Sequence, residues 1–339
     1  RIYYSVANNY SVTKRGGIYI TDGNSLKNVY KTKSGTPSEI NLLLLALFKE
    51  QNLTAYPILL STRGRAKPHE YYPLMDRYNH VAIALQIDTT WHLLDASSSS
   101  GFGKLPVKCY NGQIRVLTPT TPGIMLSSNE LKNTESTTAI VVVNEKGELE
   151  AGIRQRFGDV SSATQRDRIR TMGEPDYFKN MVKRLEDGVA VTEKTVEGLS
   201  NLEEPLEVSM SVKQTTFTDD IVYFNPILIG QYKDNPFSAA KRQYPVEMPY
   251  VLNETYNLSM EIPEGYVVDE VPKSTRMNYG DGEGMFEYLI SKTPTRIQMK
   301  TRLYFTKAVF DATEYEDLRN FFGDVVKKQG EQIVFKKKP

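Results

Sequence analysis

The sequence is poor in cysteine, in net charge and in long apolar runs, and each shortage excludes a class of protein. Cys109 is the only cysteine, which excludes an intrachain disulfide and a site of several thiolates. Lysine and arginine number 42 against 41 aspartates and glutamates, so the net charge of +1 does not predict nucleic-acid binding. The longest mainly apolar run, 40–48, is about half of a membrane-spanning helix. We therefore expect neither nucleic-acid binding nor a membrane span.

Histidine is also scarce, and a glycine-rich phosphate loop is missing. The three histidines are His69, His80 and His92, which are scattered along the chain instead of forming a cluster of metal donors. A phosphate-bearing cofactor would be held by a glycine-rich turn before a helix, and the sequence contains no such turn. We expect neither a metal ion nor a cofactor.

A polar stretch at 126–137 is predicted to be a linker between two domains, 1–125 and 138–339. The first domain contains a helix, predicted over 38–51, that is apolar on every face and therefore belongs inside a core. It is followed by runs rich in β-branched and aromatic residues. We predict strands from these runs over 55–64, 80–88 and 89–96.

The second domain shows short strand patterns separated by turns, which is typical of an antiparallel β-sandwich. A helix is predicted over 161–184 with an interruption near Pro175, and an amphipathic helix over 313–328 with a Thr313–Glu316 capping box. The strands are predicted over 138–143, 149–157, 206–212, 258–262, 285–290, 296–305 and 331–335. The fold class predicted for the whole chain is α+β.

The start of the apolar helix in the first domain has a clear capping pattern. In the segment GTPSEIN, Thr36 can act as N-cap, Pro37 suits the first helical position, and Glu39 stands three residues after the cap. The sequence therefore predicts a helix that begins at Pro37 and is closed by a capping box.

Three segments resemble, in the same order, the catalytic segments of the transglutaminase-like (papain-like cysteine hydrolase) superfamily. They are KSGTPSEINLLLLALFKE, YNHVAIAL and WHLLDASSSSG, within residues 1–120. The resemblance implies a core in which a helix packs on an antiparallel sheet, followed by a β-rich domain as in proteins of Gram-negative bacteria. It matches His80 and Asp95 to the catalytic histidine and aspartate. Pro37 occupies the place of the nucleophilic cysteine.

Proline carries no nucleophile, so this match predicts a catalytically inactive protein. A papain-like site needs a cysteine at a helix start, where the backbone amides lower the thiol pKa, and a histidine to pair with it. We expect the cleft of the lost site to bind a peptide or protein partner. Tyr71, Tyr72, Tyr78 and Trp91 are candidate binding residues, because such side chains combine apolar area with a polar group.

Two alternatives remain open. Ser38 or Cys109 could act as a non-standard nucleophile with His80 as base and Asp95 orienting it, which would make an active hydrolase or acyltransferase. The chain could instead be a structural module whose second domain mediates assembly. The resemblance further implies a periplasmic or secreted location and a β-rich domain before the core. From the start at Arg1 without a leader segment, we expect a mature product or a fragment.

Overall fold

The computed structural model describes residues 1–13, 17–72, 74–118, 123–183, 185 and 189–338. The chain forms two compact units, and each is built from three segments. The first unit contains Arg1–Leu131, Asp159–Asp167 and Leu199–Glu204; the second contains Lys132–Gly158, Arg168–Gly198 and Pro205–Pro339. The domain limits predicted from the sequence, with a linker at 126–137, remain a prediction.

The first unit packs a helix on an antiparallel sheet. Its elements are α1 (Ile2–Ala7), β1 (Ser11–Val12), α2 (Leu26–Thr32), β2 (Ser34–Gly35), α3 (Pro37–Glu50), β3 (Ala55–Leu60), β4 (His80–Ile87), β5 (Thr90–Leu94), β6 (Gly112–Val116) and β7 (Ile124–Leu126). The main sheet has the order β5-β4-β3-β6-β7. Ile40 and Leu44 of α3 belong to one buried cluster with Ile83 of β4 and Leu94 of β5. This packing fixes the start of α3 relative to the ends of β4 and β5.

The second unit is rich in strands. Its elements are β8 (Glu135–Val143), β9 (Glu148–Arg156), α4 (Asp159–Met172, which begins in the first unit), α5 (Glu174–Val182), β10 (Ala190–Glu197), β11 (Glu207–Thr215), β12 (Ile221–Phe224), β13 (Val246–Glu247), β14 (Asn253–Glu261), β15 (Tyr266–Glu270), β16 (Thr275–Tyr279), β17 (Gly284–Lys292), β18 (Arg296–Phe305), β19 (Val309–Phe310), α6 (Tyr315–Gln329) and β20 (Ile333–Lys337). An eight-stranded sheet has the order β10-β11-β9-β8-β14-β18-β17-β16, and a three-stranded sheet has the order β12-β20-β15.

Aromatic side chains pack α6 against the eight-stranded sheet. The Phe321 and Phe322 rings of this helix contact Phe305 of β18, and Phe321 also contacts Tyr279 of β16. The predicted α+β class, with antiparallel sheets and a C-terminal helix, is confirmed. One pairing of the second unit departs from the antiparallel pattern, because β8 and β14 pair in parallel. The long connection between β11 and β14 gives the chain room for this parallel pairing.

Two predictions about helix ends have different outcomes. The predicted interruption near Pro175 is confirmed: α4 and α5 are separated at Gly173, whose φ of 82° lies in the left-handed region that glycine tolerates. The Thr313–Glu316 capping box was wrong. The box is formed by Asp311, whose backbone N–H donates to Glu314 Oε2 at 2.8 Å. A 3-10 turn over Ala312–Glu314 uses this earlier copy of the same spacing, and α6 begins only after it.

Candidate functional site

The start of α3 is closed by the capping box that the sequence predicts. The Thr36 side chain accepts from the Glu39 N–H at 3.3 Å, while Glu39 Oε2 accepts from the Thr36 N–H at 2.9 Å. Glu39 Oε1 also accepts from the Thr21 N–H at 2.9 Å. Burial by itself would raise the pKa of Glu39, but these backbone donors bring it down to about 2. Pro37 is the first residue of the helix, so the predicted start is confirmed.

The structure brings His80 and Asp95 into direct contact. His80 is the first residue of β4, and Asp95 follows the last residue of β5, its antiparallel neighbour. His80 Nε2 lies 2.7 Å from Asp95 Oδ2, and the two residues are 4% and 0% exposed. Among the described residues the ring makes no other hydrogen bond. His80 Nδ1 is therefore available to a further partner.

Asp95 is held in its ionised form by several groups at once. Its Oδ1 accepts from Asn41 Nδ2 at 2.7 Å, from the Ser97 N–H at 3.0 Å and from Ser97 Oγ at 2.6 Å. Lys108 Nζ lies 4.0 Å from Oδ2. Burial alone would raise the pKa of Asp95, but the positive charges of His80 and Lys108, with these hydrogen bonds, hold it well below its usual range. An ionised acceptor at Nε2 places the hydrogen on that nitrogen, so in the neutral ring Nδ1 is an acceptor.

Asn41 connects α3 to both strands that carry the pair. Its Nδ2 donates to the Val81 carbonyl at 2.9 Å as well as to Asp95, and its Oδ1 accepts from the Ala96 N–H at 2.8 Å. Asn41 is fully buried and lies one helical turn after Pro37, on the same helix face. Sequence analysis missed this residue. The available signal was an amide side chain directly next to the run of leucines, a position that requires hydrogen-bond partners.

The turn that follows Asp95 in the sequence is also anchored, and its serines Ser98, Ser99 and Ser100 are buried. The Tyr3 hydroxyl donates to the Ser100 carbonyl at 2.7 Å, and the Ser99 N–H donates to Asp167 Oδ1 at 2.9 Å. Burial is the largest cause that raises the pKa of Asp167. These contacts come from α1 and α4, far away in sequence. They fix the backbone that follows Asp95.

The two candidate nucleophiles occupy unfavourable positions. Ser38 is buried and its Oγ donates to the Gly17 carbonyl, so its hydroxyl hydrogen is already engaged by the backbone. Cys109 ends a 3-10 turn, and its Sγ lies within 4.8 Å of a His80 ring nitrogen and an Asp95 carboxylate oxygen. It is 0% exposed, and burial, followed by the negative charge of Asp95, raises the pKa of its thiol. The Cys109 thiol is therefore protonated and closed to solvent.

His80, Asp95 and Cys109 carry donor types that bind metals, but His80 and Asp95 lie at hydrogen-bond distance from each other. Tetrahedral zinc bonds of ordinary length would place a nitrogen and an oxygen ligand roughly 3.3 Å apart. His80 Nε2 and Asp95 Oδ2 lie 2.7 Å apart, and the Lys108 ammonium adds a positive charge beside them. This arrangement suits a histidine–aspartate pair better than a cation.

The four candidate binding aromatics lie in different environments. Tyr71 and Tyr72 are 79% and 66% exposed and flank His69, whose Nδ1 accepts from both of their backbone N–H groups. Tyr78 is 5% exposed and packs in a small buried cluster. Trp91 is 42% exposed and its ring lies 6.0 Å from that of Tyr56. Only Tyr71, Tyr72 and Trp91 offer surface to a partner, and their role in binding stays a prediction.

Comparisons with known proteins bear on the fold. Residues 220–335 match a family described as "Domain of Unknown Function with solved-structure structure (DUF3858)". No curated protein matches the chain. A crystal structure described as that of a "putative protease" from Parabacteroides distasonis is similar at 14% identity and a TM-score of 0.53, over 99% of this chain and 50% of that one. The chain thus spans half the length of that protein, and the likeness shows a shared fold.

The described helices also bear on the expected absence of a membrane span. Among the residues that the structure describes, no helix is both long and apolar enough to cross a bilayer. The apolar α3 has 14 residues and carries buried Glu39 and Asn41, whereas a spanning helix needs about 20 mainly apolar residues.

Proposed function

We propose that this chain is a catalytically inactive, protease-like protein whose lost active site binds a peptide or protein segment. The observation that supports it is a buried His80–Asp95 pair, linked through Asn41 to a helix start that offers no nucleophile. Pro37 has no reactive group, and Ser38 is bonded to a backbone carbonyl. The proposed location, periplasmic or secreted, rests on the sequence resemblance.

Binding is supported by the hydrogen-bonding capacity that remains at His80. Because Nε2 is engaged by an ionised Asp95, the neutral ring presents Nδ1 as an acceptor. An extended peptide offers backbone N–H groups that can donate to such an atom. The same ring, once protonated, can donate to a peptide carbonyl.

Restoring a thiol at position 37 tests whether the rest of the site is intact. In a Cys109→Ala background, Pro37→Cys is expected to react with iodoacetamide faster than an ordinary thiol near neutral pH, because a helix start and His80 both favour the thiolate. Ser38→Cys is the matched control, since one residue along a helix turns the side chain by about 100°. The labelling rate of the Pro37→Cys variant should fall when His80→Ala is added. A rate that does not depend on His80 would contradict the proposed site.

Binding is tested separately with a generic extended polypeptide. Reduced and alkylated casein is expected to shift the His80 ring resonances in NMR spectra of the wild-type protein. Tyr71→Ala should weaken this response, and Tyr223→Ala is the control because Tyr223 is a similarly exposed tyrosine of the second unit. Unchanged His80 resonances with casein and with a second extended polypeptide would count against peptide binding.

A second candidate function, an active hydrolase, rests on the short distance between Cys109 and the His80–Asp95 pair. A local opening would let the thiol transfer its proton to His80 and attack an acyl carbon. The acyl bond then breaks, the leaving amine takes the proton from His80, and water hydrolyses the thioester. Wild-type protein treated with a peptidyl chloromethyl ketone tests this. Stoichiometric labelling of Cys109 within minutes, lost in His80→Ala, would replace the inactive assignment by the hydrolase.

A further inference from the structure

The eight-stranded sheet of the second unit has a seam at its centre. Its two halves, β10-β11-β9-β8 and β14-β18-β17-β16, meet where β8 pairs with β14, the one parallel pair among the described strands of this sheet. Glu135 of β8 and Glu254 of β14 are register partners at one end of that pair. Neighbouring strands lie about 4.8 Å apart. The two carboxyl groups therefore stand side by side on one face of the sheet.

Both carboxyl groups line a cavity of about 130 Å³. The Tyr232 hydroxyl donates to Glu254 Oε2 at 3.1 Å. The Tyr250 hydroxyl donates to Glu135 Oε1 at 3.3 Å, and Asn133 Nδ2 donates to the same oxygen at 2.9 Å. All three donors are neutral groups. They can satisfy oxygen lone pairs, but they do not cancel a second negative charge.

The titratable groups that face Glu254 come from three parts of the unit. They are Glu135 from β8, Tyr232 from the segment between β12 and β13, and Tyr250 from the segment before β14. Burial, followed by the charges of Glu135 and Glu254, raises the pKa of Tyr250, and the charge of Arg168 of α4 opposes this rise. Burial first, and the charge of Glu135 second, raise the pKa of Glu254 to about 7, against the opposing hydrogen bond from Tyr232.

We propose that Glu135 and Glu254 share one proton and form a pH-sensitive latch on the β8–β14 seam, closed while the proton is bound and weakened when it leaves. Loss of the proton leaves two like charges directly opposite each other on adjacent strands, an arrangement that destabilises pairing. The native pair binds this proton more tightly than the unfolded chain, whose ordinary glutamate value is 4.5. The cost is absent below about pH 4.5, grows as pH rises, and is complete above about pH 7.

Hydrogen exchange of the full chain at pH 6 and pH 8 tests the latch, after correction for the intrinsic effect of pH. Opening of the strands over Glu135–Val143 and Asn253–Glu261 should become about tenfold more frequent at pH 8, as two pH units across a folded pKa near 7 require. Glu254→Gln should remove this difference. Glu261→Gln is the matched control on the same strand, because Glu261 pairs with Arg296 at the surface, and it should behave as the wild type.

Several results would overturn the latch. One is equal protection at both pH values in the wild type; another is an unchanged difference in Glu254→Gln. If that variant does not fold, it is replaced by Glu135→Gln and by a carboxyl ¹³C titration of Glu254 in the wild type. A Glu254 midpoint below pH 5 would contradict the proposal. Added Ca²⁺ that restores protection at pH 8 in the wild type but not in Glu135→Gln would show a cation site instead.

Discussion

The His80–Asp95 pair of the first unit is buried and the Glu135–Glu254 pair of the second is half-buried, and the pKa values of Asp95 and Glu254 shift in opposite directions. Asp95 faces the positive charges of His80 and Lys108, and its pKa lies well below the usual range. Burial first, and the charge of a second carboxylate next, raise the pKa of Glu254 to about 7. Burial acts in the same direction on both. The neighbours therefore decide whether the rise that burial produces is reversed, as at Asp95, or increased, as at Glu254.

The largest effect on stability is expected when the Asp95 carboxylate is removed. Asp95→Ala leaves the His80 ring and the Asn41 amide without their buried acceptor, and we expect a loss of about 3–5 kcal/mol in the free energy of unfolding. Urea unfolding followed by the fluorescence of Trp91, the single tryptophan, measures it in the first unit. Asp159→Ala, which removes an exposed pair with Lys104, should cost less than about 1 kcal/mol. Equal losses in the two variants would show that the buried network around Asp95 contributes no more to stability than an exposed ion pair.

The two pairs should also give the two units opposite dependences on pH. Asp95 has a lowered pKa, so its contribution is present above its ordinary value of 3.8 and is lost as pH falls below it. Glu254 has a raised pKa, so the second unit should lose on the order of 2 to 3 kcal/mol as pH rises from 4.5 through about 7. Calorimetry between pH 3 and pH 8, with Trp91 fluorescence marking the first unit, separates the two slopes. Slopes of the same sign would refute the comparison.

Substituting Asn41 tests how strongly the ionised form of Asp95 depends on the hydrogen bond from the Asn41 side chain. Asn41→Leu keeps a similar volume but leaves Asp95 Oδ1, the Ala96 N–H and the Val81 carbonyl each without one partner, so we expect a cost of about 2 kcal/mol. The His80 ring resonances should also shift in NMR spectra at constant pH, because the ring donates to Asp95, which loses its Asn41 donor. Glu50→Leu, at an exposed position of the same helix, should change neither quantity.

The smallest effect is expected at the cap of α3. Thr36→Ala removes the acceptor of the Glu39 N–H and should cost about 1 kcal/mol. Thermal unfolding measures this cost. Thr36→Ser retains the hydroxyl and should recover most of it. If serine and alanine destabilise equally, the methyl group of Thr36 matters and its hydroxyl does not.

Local features of this chain could be predicted because their signals lie within a few residues. The Thr36–Glu39 cap is a four-residue pattern, and the β4–β5 hairpin places His80 and Asp95 on neighbouring strands within a short stretch of chain. The capping box of α6 was misplaced because two overlapping copies of the pattern fit the same sequence. Propensity alone does not decide between such copies; the packing of the helix does.

Features formed by distant segments carried no such signal. The approach of Cys109 to the His80–Asp95 pair depends on a short 3-10 turn that has no periodic pattern. Glu135 and Glu254 are neighbours because two strands far apart in the chain pair in parallel. The sequence around either residue does not predict that pairing. The edge strand β10 was missed because most of its residues are exposed and three of its eight are charged, which removes the apolar alternation.

Because Cys109 is buried, the rate of its chemical labelling measures how often the first unit opens. This thiol is the only one in the chain and is fully buried and protonated, so a small thiol reagent reaches it only during transient openings. The labelling rate then measures the frequency of those openings, and its dependence on urea distinguishes local opening from global unfolding. A single atom of sulfur therefore reports how often the core around the histidine–aspartate pair comes apart.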